Sequence, residues 1–153
     1  MTKALTVFSF TWNGMPLLYS GQELPNKKRL QFFDKDAIEW KENYELHDFY
    51  KALFLLKDDN PALSAADKRT VTKLLPTDAE NNILSYIRQC DNNEVLVILN
   101  LHSAPINFRF LDGQISGTYR NVFDKNDTTF ITGQPIEMKP WGYQLFEKVT
   151  PAK

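Results

Sequence analysis

The sequence predicts a mainly β protein, with a C-terminal antiparallel β-sandwich over residues 65–153 that follows a strand, loop and helix over residues 1–64. Three observations predict this organisation. Short apolar runs separated by turn residues continue from residue 65 to the end, as is typical of sandwiches and meanders. The first part instead contains one unbroken apolar run and one segment with helical spacing.

The first part begins with an apolar segment at residues 4–12, whose period fits either a strand or the end of a helix. Asn13 and Gly14 then predict a turn. Met15–Tyr19 is a continuous apolar run of strand length, which is typical of a strand buried on both faces in a parallel sheet. Residues 24–42 are polar and predict a long loop.

A helix is predicted over residues 44–58. Asn43 can act as its N-cap, and Asp58 with the following Pro61 ends it. Apolar residues recur there at the spacing of one helical face. They are Leu46, Phe49, Tyr50, Leu53 and Phe54.

Period-2 patterns and turn residues predict the strands of the β-sandwich. Val95–Leu99 is apolar throughout and predicts a central strand, whereas Ile106–Phe110 alternates and predicts a strand with one wet face. Asp91 to Asn93 predict a hairpin loop. The other predicted strands are Ile83–Gln89, Gly117–Phe123, Thr128–Ile131, Ile136–Met138 and Tyr143–Lys148.

Composition excludes several classes of protein. The net charge is -1 with both signs interspersed, so no nucleic-acid partner is predicted. The sequence contains no run of about 18 apolar residues, so no membrane span is predicted. Cys90 is the single cysteine, which excludes an intramolecular disulfide. Asp34 and Asp36 have the spacing of a Ca²⁺ loop but lack the downstream bidentate Glu, and we predict no metal or cofactor.

The apolar run at Met15–Tyr19 is followed directly by Gly21, Gln22 and Glu23. Polar residues at the carboxyl end of a buried strand are typical of the ligand-binding face of an α/β barrel. The chain of 153 residues is shorter than the roughly 250 residues of a complete (β/α)₈ barrel. Residues 1–64 are therefore interpreted as a remnant of such a barrel.

The chain resembles the C-terminal part of an α-amylase family enzyme of glycoside hydrolase family 13. The stretch GMPLLYSGQE at residues 14–23 is similar to the family's pattern on the eighth barrel strand. LQFFDKDAIEW at residues 30–40 resembles the loop that follows, and FYKALFLLKDDNPALS at residues 49–64 resembles the eighth helix and its exit. Ser20 stands where the family pattern has a second Tyr.

This resemblance implies a parent enzyme that cleaves α-1,4 bonds of starch or maltodextrins with retention of configuration. Retention requires two carboxyl groups about 5 Å apart. In the family these carboxylates lie on strands that precede the region matched here, so no catalytic residue is assigned. We expect a fragment that is inactive alone and whose parent binds α-glucan through the missing barrel.

Gln22 and Glu23 are the candidate substrate-binding residues, which could line the sugar cleft of the full enzyme. Glu23 could equally make a structural hydrogen bond. Trp40 and Trp141 could stack on the apolar face of a pyranose or pack in the core. The basic triplet at residues 27–29 could contact substrate or a neighbouring domain, but we interpret it as part of a solvated loop.

The first 60 residues also carry apolar side chains that barrel neighbours would cover, namely Phe8, Phe10, Trp12, Leu17, Leu18 and Tyr19. Leaving six such side chains exposed would cost on the order of 10 kcal/mol. We therefore expect this segment to pack on the sandwich, to self-associate with another copy, or to be disordered. The alternative function is a stand-alone carbohydrate-binding or interaction module.

Overall fold

A computed structural model describes residues 1–24, 26–31, 33–111, 113, 115–131 and 133–149. The first part contains helix α1 (Thr2–Thr11), helix α2 (His47–Asp59) and a 3₁₀ helix (Pro61–Leu63). Within these ranges, neither α1 nor α2 has the length and apolar character that crossing a bilayer would require.

The rest of the chain is antiparallel β structure. Its strands are β1 (Val71–Leu74), β2 (Ile83–Cys90), β3 (Asn93–Asn100), β4 (Ile106–Phe108), β5 (Gly117–Asn121), β6 (Asp127–Phe130), β7 (Ile136–Met138) and β8 (Tyr143–Lys148). In the described residues, one six-stranded sheet has the order β1-β2-β3-β8-β5-β6, and β4 pairs with β7 in a two-stranded sheet. Cys90 pairs with Asn93 across a tight hairpin, in which Asp91 has φ 52°.

The helices and one face of the large sheet share a single apolar core, which we call the helix-side core. Strand β3 contributes alternate residues to it, as the period of a strand requires. Its fully buried members include Val7, Phe10, Leu53, Leu63, Val95, Val97, Leu99 and Leu145. Burying each aliphatic or aromatic side chain of this kind contributes about 1.5–3 kcal/mol.

Two buried polar contacts tie the helical part to the sheet. Thr11 Oγ1, at the end of α1, lies 2.6 Å from the hydroxyl of Tyr86 on β2. Arg88, also on β2, donates from Nε to the carbonyl of Ala62 at 3.2 Å. Within the sheet, its Nη1 donates to Thr72 Oγ1 of β1 at 2.7 Å. Burial lowers the pKa of Arg88.

The opposite face of the large sheet packs on the β4–β7 pair and forms the second core. Leu96 and Ile98 of β3 point into it, between the residues that face the helices. Phe108 of β4 and Met138 of β7 close it from the other side. The two sheets thus form the predicted sandwich, and β3 is buried on both faces as predicted.

The two apolar segments of the first part have different outcomes. The segment at residues 4–12, whose period fits a strand or the end of a helix, is helical as part of α1, with Trp12 as the C-cap. Met15–Tyr19 was predicted as a strand and carries no regular secondary structure. A strand needs hydrogen-bonded neighbours, and no described strand pairs with this segment.

The apolar side chains of this region divide between the protein and its surface. Phe10 is buried, and Phe8, Trp12 and Leu18 pack partly against the helix-side core. Burial alternates along residues 15–19. The side chains of Met15, Leu17 and Tyr19 point outward, and we call these three residues the apolar row.

The predicted helix is confirmed as α2, which begins three residues later than predicted, at His47. Leu46, not Asn43, is its N-cap, without a side-chain hydrogen bond. Phe54 was predicted on the buried face but is 43% exposed, whereas Leu56 is buried. The strand patterns are confirmed, but the edge strand β1 was not predicted.

Candidate functional site

A tight turn at residues 19–24 carries the two predicted substrate-binding residues. The amide of Gln22 donates to the carbonyl of Tyr19, and the amide of Leu24 to the carbonyl of Gly21, each at 3.1 Å. The side chains close the same turn. Gln22 Oε1 accepts from the amide of Tyr19, and Glu23 Oε2 accepts from the amide of Gly21, each at 3.0 Å.

Gly21 is the residue that permits this turn. Its φ is +89°, a region that L side chains rarely adopt. A Cβ at this position would also lie 3.1 Å from Cγ2 of Ile38, in the loop that follows. The turn is therefore fitted closely against that loop, and the carboxylate of Glu23 has a structural hydrogen bond in it.

Gln22 also borders a cavity of about 710 Å³, which we call the Trp141 cavity. It lies where the start of α1, the turn at residues 19–24, the start of α2 and the turn before β8 meet. Its lining includes Lys3, Gln22, Glu45, Tyr50, Trp141 and Tyr143. The predicted residues Gln22 and Trp141 thus meet at one cavity, whereas Glu23 and Trp40 are not among its lining residues.

The inner wall of the Trp141 cavity is aromatic. Tyr50 is buried and Tyr143 is half-buried. Phe49 supports them, with its ring centroid 5.5 Å from that of Tyr50 and 5.7 Å from that of Tyr143. Burial raises the pKa of the Tyr143 phenol. Lys3 Nζ lies 5.4 Å from the centroid of Phe49, within cation–π range.

Trp141 lies in a tight turn with an uncommon backbone conformation. Its φ is +52°, which is unusual for a bulky side chain and costs of order 1–3 kcal/mol. The amide of Gly142 donates to the carbonyl of Lys139 at 2.8 Å. A Cβ on Gly142 would lie 2.7 Å from that carbonyl oxygen, so this position requires glycine.

Buried Asn100, at the end of β3, holds the Trp141 turn. Its Nδ2 donates to the carbonyls of Lys139 and Ala104, each at 2.9 Å. Its amide donates to the carbonyl of Gly142 at 2.9 Å, and the amide of Trp141 donates to the carbonyl of His102 at 3.0 Å. These bonds fix the backbone that positions the indole. Sequence patterns gave no signal for Asn100 beyond its place at a strand end.

The other residues considered from the sequence are placed elsewhere. Lys28 forms an ion pair with Asp36, and this hydrogen bond is the main reason that the pKa of Asp36 is lowered. In the described ranges, no three His, Cys, Asp or Glu side chains are grouped so that they could hold a metal ion. Trp40 lies in the loop, 57% exposed.

Among the carboxyl groups that the structure describes, three outside the cavity have displaced pKa values, all lowered by basic partners. Arg69 lowers the pKa of Asp67 to about 2, mainly through a side-chain hydrogen bond. Arg120 lowers the pKa of Asp127 in the same way, and Asp36 is the third. A glycosidase general acid needs the opposite displacement, so these three groups lack that property.

A second cavity, of about 520 Å³, is mainly apolar and lies beside the apolar row. Met15 and Pro16 form one side of it, and Phe54 and Leu55 of α2 form another. Phe54 and Leu55 are themselves exposed. Exposed apolar side chains of the apolar row and of α2 therefore meet at this cavity, through Met15, Phe54 and Leu55.

Comparison with known proteins finds matches to this chain among the α-amylases. Residues 76–142 match the family model of the α-amylase C-terminal all-β domain. The chain is 32% identical over 138 residues to α-amylase MalA of Haloarcula japonica, covering 86% of this chain and 20% of MalA. It is 26% identical over 138 residues to α-amylase 2 of Dictyoglomus thermophilum, covering 82% of this chain and 22% of that protein.

The structural comparison shows the same fold over nearly the whole chain. The maltogenic α-amylase AmyB of Thermotoga neapolitana superposes with a TM-score of 0.78 at 19% identity, over 97% of this chain and 36% of AmyB. An α-amylase of Geobacillus thermoleovorans superposes with a TM-score of 0.68 over 98% of this chain and 33% of that protein. The chain spans about a fifth of the length of its curated relatives.

Proposed function

Because the chain belongs to the α-amylase family of glycoside hydrolases and corresponds to the C-terminal part of its members, we propose that it functions as part of a glycosidase that acts on α-1,4-glucans. Its helical part would complete the catalytic barrel, and its sandwich would pack against that barrel. The substrates would be starch or maltodextrins, bound and cleaved by residues of the barrel.

The apolar row is the observation that carries this proposal. Leu17 is 81% exposed and Tyr19 is 60% exposed, whereas Leu18 between them packs against the helix-side core. Large apolar side chains exposed together mark a surface that another structure covers. In the proposed enzyme, the remaining barrel strands and helices would cover this row and the apolar cavity beside it.

We also propose that this chain alone has no hydrolytic activity. A retaining glycosidase needs a carboxylic acid and a carboxylate about 5 Å apart. Glu45 is the carboxyl group among the described lining residues of the Trp141 cavity. A single carboxyl group there cannot supply both the nucleophile and the acid.

The test is an activity measurement on the purified chain with soluble starch and maltoheptaose. We expect no release of reducing ends above that of a heat-treated sample. Turnover that scales with chain concentration and persists through further purification would refute the proposal of inactivity.

A second test concerns the apolar row. Without a barrel to cover it, we propose that the row mediates self-association, since exposed apolar segments pair readily between chains. Sedimentation should show that Leu17→Ser combined with Tyr19→Ser reduces association. Ile131→Ser, at an exposed position on the β side, is the control and should leave association unchanged. Equal association of all three proteins would contradict this role.

The alternative of a stand-alone carbohydrate-binding module is less well supported. A flat binding platform needs two or three exposed, roughly coplanar rings. In the described residues from 65 onward, the exposed large apolar side chains are Val71, Leu74, Leu101, Leu111 and Ile131, none of them aromatic. The sandwich therefore lacks such a platform in these ranges.

A further inference from the structure

We propose that the Trp141 cavity is a binding site for α-linked glucose units, with the indole of Trp141 as its stacking surface. The choice of α-linked glucose as the ligand class rests on the proposed function. The location of the site rests on the cavity itself. A volume of about 710 Å³ lies within the range of roughly 300–1,000 Å³ found for ligand sites.

The aromatic wall supplies the apolar half of a sugar site. A pyranose ring has an apolar C–H face and a periphery of hydroxyl groups. Trp141 and Tyr143 both line the cavity and are half-buried, so each is packed against the protein while part of the residue stays accessible. Partly exposed, packed aromatic rings give large contact area at little cost in conformational entropy.

The position of Trp141 is fixed before any ligand binds. Its left-handed backbone is held by the hydrogen bond to His102 and by the neighbouring bonds of Asn100 to Lys139 and Gly142. Strained backbone that is held in this way by surrounding contacts occurs preferentially at functional sites. A preorganised backbone at Trp141 reduces the freedom that is lost on binding, which favours affinity.

The rim supplies polar groups suited to hydroxyls. The bond from Tyr19 occupies Oε1 of Gln22, so Nε2 is the side-chain donor that this lining residue can offer to a ligand. Lys3 adds a donor and Glu45 adds an acceptor on other sides. Mixed donors and acceptors with opposite charges suit a neutral polyhydroxylated ligand, because each sugar hydroxyl both donates and accepts.

The test is calorimetric titration of the 153-residue chain with maltotriose, and with cellotriose as the β-linked control. We expect maltotriose to bind and Trp141→Ala to weaken its affinity by about tenfold, the value of a lost aromatic contact. Trp141→Phe should retain most of the affinity. Trp40→Ala, which removes a tryptophan that does not line the cavity, should change it by less than about twofold.

Gln22→Glu is a second variant that does not depend on the Trp141 turn. It keeps the oxygen that accepts from Tyr19 and removes the amide donor, so we expect folding to be unchanged and affinity to fall roughly threefold to tenfold. Melting temperatures of all variants check that the fold is kept.

Three results would overturn the assignment. These are no measurable binding of maltotriose, equal binding by the folded Trp141→Ala and parent chains, and equal binding of cellotriose and maltotriose. None of them bears on hydrolysis, which is measured separately. If the chain shows neither hydrolysis nor binding, the proposed binding site is refuted and the proposal of inactivity stands. If the chain hydrolyses the substrate, the proposal of inactivity is refuted.

Discussion

The contact between Thr11 and Tyr86 allows a direct measurement of how firmly helix α1 is docked on the sheet. The two hydroxyl oxygens are 2.6 Å apart, and both residues are fully buried. Thr11 Oγ1 also donates to the carbonyl of Val7 at 2.6 Å. Thr11 Oγ1 therefore accepts a hydrogen bond from the Tyr86 hydroxyl, and Thr11 is the buried partner of that phenol.

The two single substitutions should differ in cost. Thr11→Val keeps the shape but leaves the buried Tyr86 hydroxyl without an acceptor, at about 1–3 kcal/mol. Tyr86→Phe removes the donor while Thr11 keeps its bond to Val7, at about 0.5–1.5 kcal/mol. The double variant should be more stable than the sum of the two losses predicts, by about 1 kcal/mol of coupling.

Urea unfolding followed by circular dichroism measures these differences. With a slope of about 2 kcal/mol per molar urea, a loss of 1 kcal/mol lowers the midpoint by roughly 0.5 M. Ser9→Ala is the matched control, because Ser9 makes the same kind of helix hydrogen bond, to Thr6 at 2.9 Å, at an exposed position. It should change stability by less than about 0.5 kcal/mol. Additive single effects no larger than the control would show that the Thr11–Tyr86 hydrogen bond does not contribute to the docking of α1.

Three further predictions follow from backbone geometry and charge. Burial raises the pKa of the Tyr86 phenol above its ordinary 10.0. The stability contributed by the neutral phenol is therefore complete below pH 10 and is lost as the pH rises above it. The melting temperature should accordingly fall less steeply between about pH 9 and 11 in Tyr86→Phe than in the parent chain. Gly21→Ala should destabilise by about 1–2 kcal/mol, and by more than Gly133→Ala, because both glycines have positive φ but only the Cβ at Gly21 meets a neighbour; equal losses would contradict the close fit of the turn. The pKa of Asp67 is lowered by Arg69 to about 2 from 3.8, so its stabilising contribution is lost as pH falls from about 4 to 2; an NMR titration should find Asp67 closer to its ordinary value in Arg69→Gln, and an unchanged midpoint would argue against the pair.

The sequence predicted the β region well because period-2 patterns report directly on which face of a strand is buried. Residues 95–99 form a strand covered on both faces, and residues 106–110 alternate between buried and exposed. Strand β1 was missed because it lies at the sheet edge with mostly exposed side chains. Its pairing with β2 is a tertiary property that has no periodic signal.

The error at Met15–Tyr19 has a different origin. An apolar run indicates that a segment is covered by something, but it does not identify the neighbour that covers it. In this structure Leu18 of the run packs against the helix-side core, whereas Met15, Leu17 and Tyr19 are exposed. The division near residue 64 stays a prediction, although the helical part and the sheet share one core.

The candidate site was predictable only in pieces. Gln22 was predicted from its place after an apolar run, and Trp141 was one of two aromatic candidates. Their meeting at one cavity depends on how α1 and α2 pack against β8. Tyr143 gave only a strand signal in the sequence, since an aromatic residue in a strand normally indicates packing.

Strand β3 lies between β2 and β8, and its side chains enter both cores in turn. Its peptide N–H groups can therefore reach deuterated solvent only when the layers on both sides separate together. The slowest isotope exchange should be found in this strand, and its rate should report the free energy of opening the whole molecule. Loss of the helices alone would shorten those lifetimes without abolishing them, since β4 and β7 would still shield the other face.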